Sequence, residues 1–190
     1  GENTNRGCGI QVSKELDHIK SLIQNTNVNG NRRSYIIQKY IEKPLLYKNR
    51  KFDIRCFTLM STIAGNLQGY WYTDGYLRTS SREFTIKNVS NRYVHLTNDA
   101  VQKKLDDYGK FESGNKLSYQ EFQKYLDSQG IKCDFVKDVS TKIRSLVQDS
   151  MRAVSRKMDP HRKHASFEIF GYDFMIDEDL NTWMIEVNTN

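Results

Sequence analysis

The chain has 190 residues, 37% of them hydrophobic and 12% aromatic, with a mean hydropathy of −0.72. This composition excludes a disordered chain, the length suffices for one sizeable core, and no apolar run is long enough to span a membrane. Lys and Arg number 29 against 23 Asp and Glu, giving a formal charge of +6 and an isoelectric point near 9.1, which favours an acidic partner: a nucleotide, a nucleic acid or an acidic protein surface.

No secretory-leader pattern opens the sequence. Cys8, Cys56 and Cys133 are odd in number and widely separated. They lack metal or disulfide spacing, which points to a reduced, intracellular setting. Both ends read as cut from a longer protein.

Residues 1–10 (GENTNRGCGI) form a loop with Gly1, Gly7 and Gly9. Such a loop lets backbone N–H groups approach a phosphate, and Arg6 adds charge; a tight turn is the alternative. It is neither a Walker loop nor GxGxxG. Ser13 is placed to cap a helix to about residue 24, whose Leu16, Ile19, Leu22 and Ile23 form a core stripe. Residues 25–33 are a polar loop. Residues 35–41 (YIIQKYI) read as a strand buried on both faces, ended by Glu42, Lys43 and Pro44.

Residues 51–60 (KFDIRCFTLM) read as the next strand. Period two puts Lys51, Asp53 and Arg55 on one face and Phe52, Ile54 and Cys56 on the other. Charges at that spacing line a polar cleft, or form an exposed, salt-bridged face. Residues 69–78 suggest a strand, an Asp74-Gly75 turn and a second strand. The run from Arg78 through Thr79, Ser80 and Ser81 to Arg82 suits a carboxylate or phosphate, or a surface loop. Residues 93–98 read as a short strand ending in Thr97 and Asn98, with a structural His95.

Residues 106–116 are a polar connection. Ser118 and Glu121 make a capping box, with Leu117 and Phe122 as its staple, for a helix ending near Gly130. Residues 134–158 read as one long helix with a stripe of Phe135, Val139, Ile143, Leu146, Val147, Met151 and Val154. Arg144, Arg152, Arg156, Lys157, His161, Arg162, Lys163 and His164 make a basic region, either a solvated face or an acidic-partner surface.

Residues 169–176 and 182–188 are strands joined by a polar turn at Asp177, Glu178, Asp179 and Asn181. Pairing centred between Asp179 and Leu180 sets Asp173 opposite Glu186, with Asn188 on the same face. Trp183, Ile185 and Val187 face the other way, with Phe170, Tyr172, Phe174 and Ile176. Two carboxylates and an amide facing one another call for positive charge between them, and oxygen-only ligands suit Mg²⁺; the alternative is a solvated sheet face. With the glycine-rich loop, the 51–55 strand, Arg78 and Thr97-Asn98, this face suits a Mg-nucleotide held between sheets. Nucleic-acid binding is disfavoured, because the aromatics fall in apolar strand-like runs rather than among basic residues.

Five segments in order, QKYIEKPLLYKNRKFDIR (38–55), GYLRTSS (75–81), HLTN (95–98), FGYDFMIDE (170–178) and WMIEVN (183–188), resemble the tubulin–tyrosine ligase family. Residues 108–126 resemble its tyrosine-adding member. The resemblance implies an α+β, ATP-grasp fold with a mostly antiparallel sheet flanked by helices. It divides the chain into residues 1–45, the end of a central subdomain, and 46–190, a C-terminal subdomain. It implies ATP and Mg²⁺ as cofactors. Arg6 and Gly7 would cover the phosphates, and Gln38, Lys39, Tyr40 and Ile41 would form the hinge strand against the adenine. Lys51 and Asp53 would contact the ribose and base side, and Thr97 and Asn98 would lie near the phosphates. Arg55 and Arg78 would face the reacting centre, and Asp173, Glu186 and Asn188 would hold Mg²⁺.

The implied reaction is ATP-dependent addition of tyrosine, glutamate or glycine to an acidic tubulin tail through an acyl phosphate. The implied partners are tubulin or microtubules and a free amino acid, in the cytoplasm and cytoskeleton or at a cilium. The family's Lys-Pro before the glycine-rich loop and its N-terminal domain are not in this sequence, so the resemblance implies a portion that does not catalyse alone. The alternative is a ligase-like domain kept as a structural or docking part of a microtubule or ciliary assembly; intact metal ligands weigh against it.

Overall fold

The computed structural model describes residues 9–24, 27–28, 31–32, 35–161 and 165–189. Its elements in order are α1 (Leu16–Gln24), β1 (Asn27–Val28), β2 (Asn31–Arg32), β3 (Leu46–Tyr47), β4 (Arg50–Ile63), β5 (Asn66–Glu83), α2 (Arg92–His95), α3 (Asp99–Gln102), β6 (Lys116–Ser118), α4 (Tyr119–Ser128), α5 (Thr141–Met158), β7 (Ser166–Ile176) and β8 (Thr182–Asn188). One antiparallel sheet runs β6-β5-β4-β7-β8, with β3 paired to β4. Helices pack against it, so the α+β expectation holds.

Alternation along the long central strand divides the molecule. Phe52, Ile54 and Cys56 of β4, Leu77 of β5 and Tyr172, Phe174 and Ile176 of β7 are buried against Phe122 and Leu126 of α4 and Ile143 and Val147 of α5. Each buried Phe, Ile, Leu or Val among them contributes about 1.5–3 kcal/mol. The Ser118–Glu121 capping box is formed, and Gly130, at φ 67°, follows α4.

Several expected elements differ. Residues 35–41 form no strand: they carry no regular secondary structure, and Ile36 and Ile37 are exposed. An apolar run becomes a strand only where a neighbouring strand accepts its hydrogen bonds, and the described residues supply none. Helix α1 is present but none of its residues is buried, and Ser13 bonds Glu15 rather than capping it. Residues 92–95 are a helical turn, not a strand, because the Asn91 side chain accepts from the Tyr93 N–H.

The β4–β5 turn falls at Ala64-Gly65, both at positive φ, rather than at Asp74-Gly75. Asp74 and Gly75 instead sit where pairing steps from Thr58↔Trp71 to Cys56↔Gly75. A Cβ at Gly75 would lie 2.3 Å from the Tyr119 hydroxyl and 2.4 Å from the Arg55 carbonyl oxygen, so a tightly packed irregularity, not a turn, requires this glycine.

The long helix opens with a wide π-type stretch at Phe135–Ser140 before α5. Phe135, Val139, Ile143 and Val147 reach the core, whereas Leu146 and Val154 are exposed. The β7–β8 hairpin also contains an irregularity: Asp173 pairs with Glu186, but Phe174 pairs with Met184. The extra residue, Ile185, ends strict alternation there. Trp183 now pairs with Met175 while Val187 still pairs with Tyr172, and both are exposed rather than packed on one apolar face.

Candidate functional site

On the face away from α4 and α5, β4 presents Lys51, Asp53 and Arg55. Cross-strand pairing sets Asp53 opposite Arg78 of β5, and Arg55 opposite Asp173 of β7. Arg78 Nε lies 2.6 Å from Asp53 Oδ1 and its Nη2 lies 2.7 Å from Asp173 Oδ2. Arg55 grips Asp173 with two nitrogens, Nε on Oδ1 and Nη2 on Oδ2, the latter at 3.0 Å. The order Asp53–Arg78–Asp173–Arg55 thus alternates in sign across three strands. Thr97 donates to the other Asp53 oxygen. Asn188 Nδ2 reaches Gly171 O at 3.2 Å and Asp173 Oδ2 at 3.4 Å.

Asp53, Arg78, Thr97 and Asp173 are buried and Glu186 is exposed. Burial raises the Asp173 carboxyl, but Arg55 and Arg78 more than offset it and hold it below the usual carboxylate range. Asp53 is pushed up, chiefly by burial, against the pull of Arg78. The Glu186 carboxyl is raised by partial burial and then by Asp173 beside it. Burial lowers the Lys51 ammonium to about 8, with Asp53 opposing the shift.

The expected metal set therefore does converge on one end of this face: Asp173 opposite Glu186, with Asn188 bonded to Asp173. Among the described residues, no cluster of three or more His, Cys, Asp or Glu side chains occurs, so this set has two carboxylates and one amide. That donor chemistry fits Mg²⁺. The elevation of Glu186 by Asp173 is what a nearby cation would relieve.

The expected nucleotide residues fall as follows. Lys51 Nζ donates to His95 O at 2.8 Å and to Tyr40 Oη at 3.4 Å. Tyr40 and Ile41 are half-buried, while Gln38 and Lys39 are exposed. Asn98 stands at the start of α3 with no side-chain cap bond. Arg6 and Gly7 lie outside the described residues, as do Cys8 and Arg162, Lys163 and His164 of the basic region. The Thr79–Ser81 run is buried in β5, so it is not a surface loop.

One buried group was illegible from sequence. Arg50 Nη1 and Nη2 bind Glu112 at 2.9 and 2.5 Å, and Thr79 Oγ1 donates to Glu112 at 2.9 Å. Asn115 Nδ2 bonds Thr79 O at 2.9 Å and Ser81 Oγ at 2.8 Å. This lock fixes β5 next to Arg78. Its members are far apart in sequence and have no local signal beyond the acidic residue in a polar connection.

Comparison with known proteins agrees with this architecture. A model of the Tubulin-tyrosine ligase family matches residues 1–190. The chain is similar to Tubulin glycylase 3D of Tetrahymena thermophila, 35% identical over 97% of this chain and 17% of that protein. It is similar to the Probable tubulin polyglutamylase TTLL9 of Mus musculus, 38% identical over 83% of this chain and 33% of that protein. Tubulin glycylase 3A of Drosophila melanogaster is 36% identical over 99% of this chain and 19% of that protein. The chain thus spans a third or less of the length of these relatives. Matched end to end by the family model, the chain belongs to the tubulin-tyrosine ligase family.

Proposed function

We propose that this chain carries the nucleotide and metal face of an ATP-dependent ligase that joins an amino acid to the acidic tail of tubulin. The observation that carries the reading is the pairing of Asp173 with Glu186 beside Asn188, at the end of a buried row of arginines and carboxylates. The names of its relatives favour glycine or glutamate as the added amino acid.

In this reading Asp173, Glu186 and Asn188 hold Mg²⁺, which when bound offsets charge on the nucleotide phosphates. Arg55 and Arg78 keep Asp173 ionised and aimed, and their remaining N–H groups face the reacting carboxylate. Lys51, with Tyr40 bonded to it, takes the ribose and base side, Ile41 lines the adenine, and Thr97 and Asn98 lie toward the phosphates. The γ-phosphoryl group passes to a tail carboxylate and ADP leaves. The amine of the incoming amino acid then attacks the acyl carbon, and inorganic phosphate carries away the C–O bonding pair. The fixed guanidinium groups act on the developing negative charge. The positive balance of the chain favours encounter with an acidic tail.

The test is ATP-dependent incorporation of labelled glycine, glutamate or tyrosine into tubulin by the full-length gene product. Incorporation that disappears in Glu186→Gln is expected. A parent protein that neither incorporates any of the three nor binds Mg-ATP would instead have a structural or docking role.

A further inference from the structure

His95 is buried, and its hydrogen bonds have a fixed direction. Nε2 lies 2.9 Å from Asn88 O, a carbonyl that can only accept, so Nε2 carries a proton. Nδ1 lies 2.7 Å from Tyr40 Oη. With the ring neutral, Nδ1 offers a lone pair and Tyr40 donates to it. The Tyr40 oxygen is then free to accept from the Lys51 ammonium at 3.4 Å, which also donates to His95 O at 2.8 Å. The chain of donation runs from Lys51 to Tyr40 to His95 to Asn88, with every polar atom partnered. The Tyr40 ring completes the enclosure, edge-on to His95 and 4.8 Å below the Lys51 ammonium.

We propose that His95 is a positioning residue for nucleotide binding: through Tyr40 and through its own carbonyl it fixes the Lys51 ammonium and ties the 35–41 segment to the sheet, and protonation of its ring undoes this. The inference rests on the nucleotide reading of Lys51 and Tyr40. A proton on Nδ1 would turn two donors, Nδ1 and Lys51, toward the one Tyr40 oxygen and strand the phenol proton. Tyr40 of the linker, Lys51 of β4 and Lys14 ahead of α1 are the titratable groups acting on the ring. Burial is the largest cause holding it below the ordinary histidine value, and both lysines add to it while the Asn88 bond opposes.

The experiment is calorimetric titration of ATP, with Mg²⁺ present, into the full-length gene product and three variants between about pH 5.5 and about pH 8. His95→Leu is expected to weaken binding about tenfold near neutral pH. His95→Asn keeps an acceptor for Tyr40 and cannot titrate, so it should recover most of that loss. The ratio of parent to His95→Asn affinity should fall as the solution is acidified, which also cancels the titration of ATP itself. Tyr40→Phe keeps the ring over Lys51 and should lose about tenfold in affinity; it carries the test if His95→Leu fails to fold. Parent-like affinity in Tyr40→Phe, or a parent-to-Asn ratio constant with pH, overturns the inference. A parent that binds no ATP overturns the nucleotide reading and this inference with it.

Discussion

Arg78 of β5 reaches over the intervening strand β4 to Asp173 of β7, Nη2 to Oδ2 at 2.7 Å, while its Nε holds Asp53 of β4 at 2.6 Å. One guanidinium therefore ties three strands on the same face. Its charge is stabilised by both carboxylates against the cost of burial.

The two carboxylates of the metal set should respond differently to substitution. Asp173→Asn leaves Arg55 and Arg78 without their shared anion in a buried site, and should cost about 3–5 kcal/mol in urea unfolding. Glu186 is exposed and has Asp173 as its neighbour, so Glu186→Gln should leave stability within about 0.5 kcal/mol or raise it slightly. Equal losses in the two variants would contradict the burial pattern.

Lys51 gives opposite pH responses for binding and stability. Its folded value, about 8, lies below its ordinary value of 10.5. Between these the unfolded chain binds more protons, so this group's contribution to stability rises with pH across that window. Nucleotide affinity should fall over the same window as the ammonium loses its charge. Lys51→Met should flatten both trends, read by pH-dependent melts and by ATP titration.

The Arg50–Glu112 lock should behave as a buried pair. Glu112→Leu or Arg50→Met alone should each cost about 3–5 kcal/mol, whereas the double variant Arg50→Met/Glu112→Leu should recover much of the loss. A double-mutant cycle in urea measures the coupling. Additive losses would show that the two side chains do not act as a pair.

Gly75→Ala should destabilise by about 2–4 kcal/mol, because the added methyl meets the Arg55 carbonyl, a backbone atom that cannot swing aside. Gly65→Ala, where nothing lies within 4 Å, should cost less and only through its positive φ of 77°. Thermal melts of the two variants rank them.

Much of the candidate site was legible because strand alternation is local. Lys51, Asp53 and Arg55 share a face by spacing alone, and Asp173 finds Glu186 from the hairpin's turn residues. The capping box before α4 is likewise written in four adjacent residues. What alternation cannot encode is long-range pairing. Asp74-Gly75 carries a stronger turn signal than Ala64-Gly65, yet the pairing of β5 with β4 absorbs it. Residues 35–41 have strand chemistry but no strand partner among the described residues. The Ile185 irregularity and the Tyr40–His95 bond depend on contacts that no single window contains.

The central claim is that Asp173, Glu186 and Asn188 jointly hold a divalent cation that grips a nucleotide. Its most direct measurement is calorimetric titration of ATP into the full-length gene product with and without Mg²⁺, for the parent and Glu186→Gln. The expected result is Mg²⁺-dependent binding weakened at least about tenfold in Glu186→Gln. Binding equal in parent and variant, or indifferent to Mg²⁺, would contradict it.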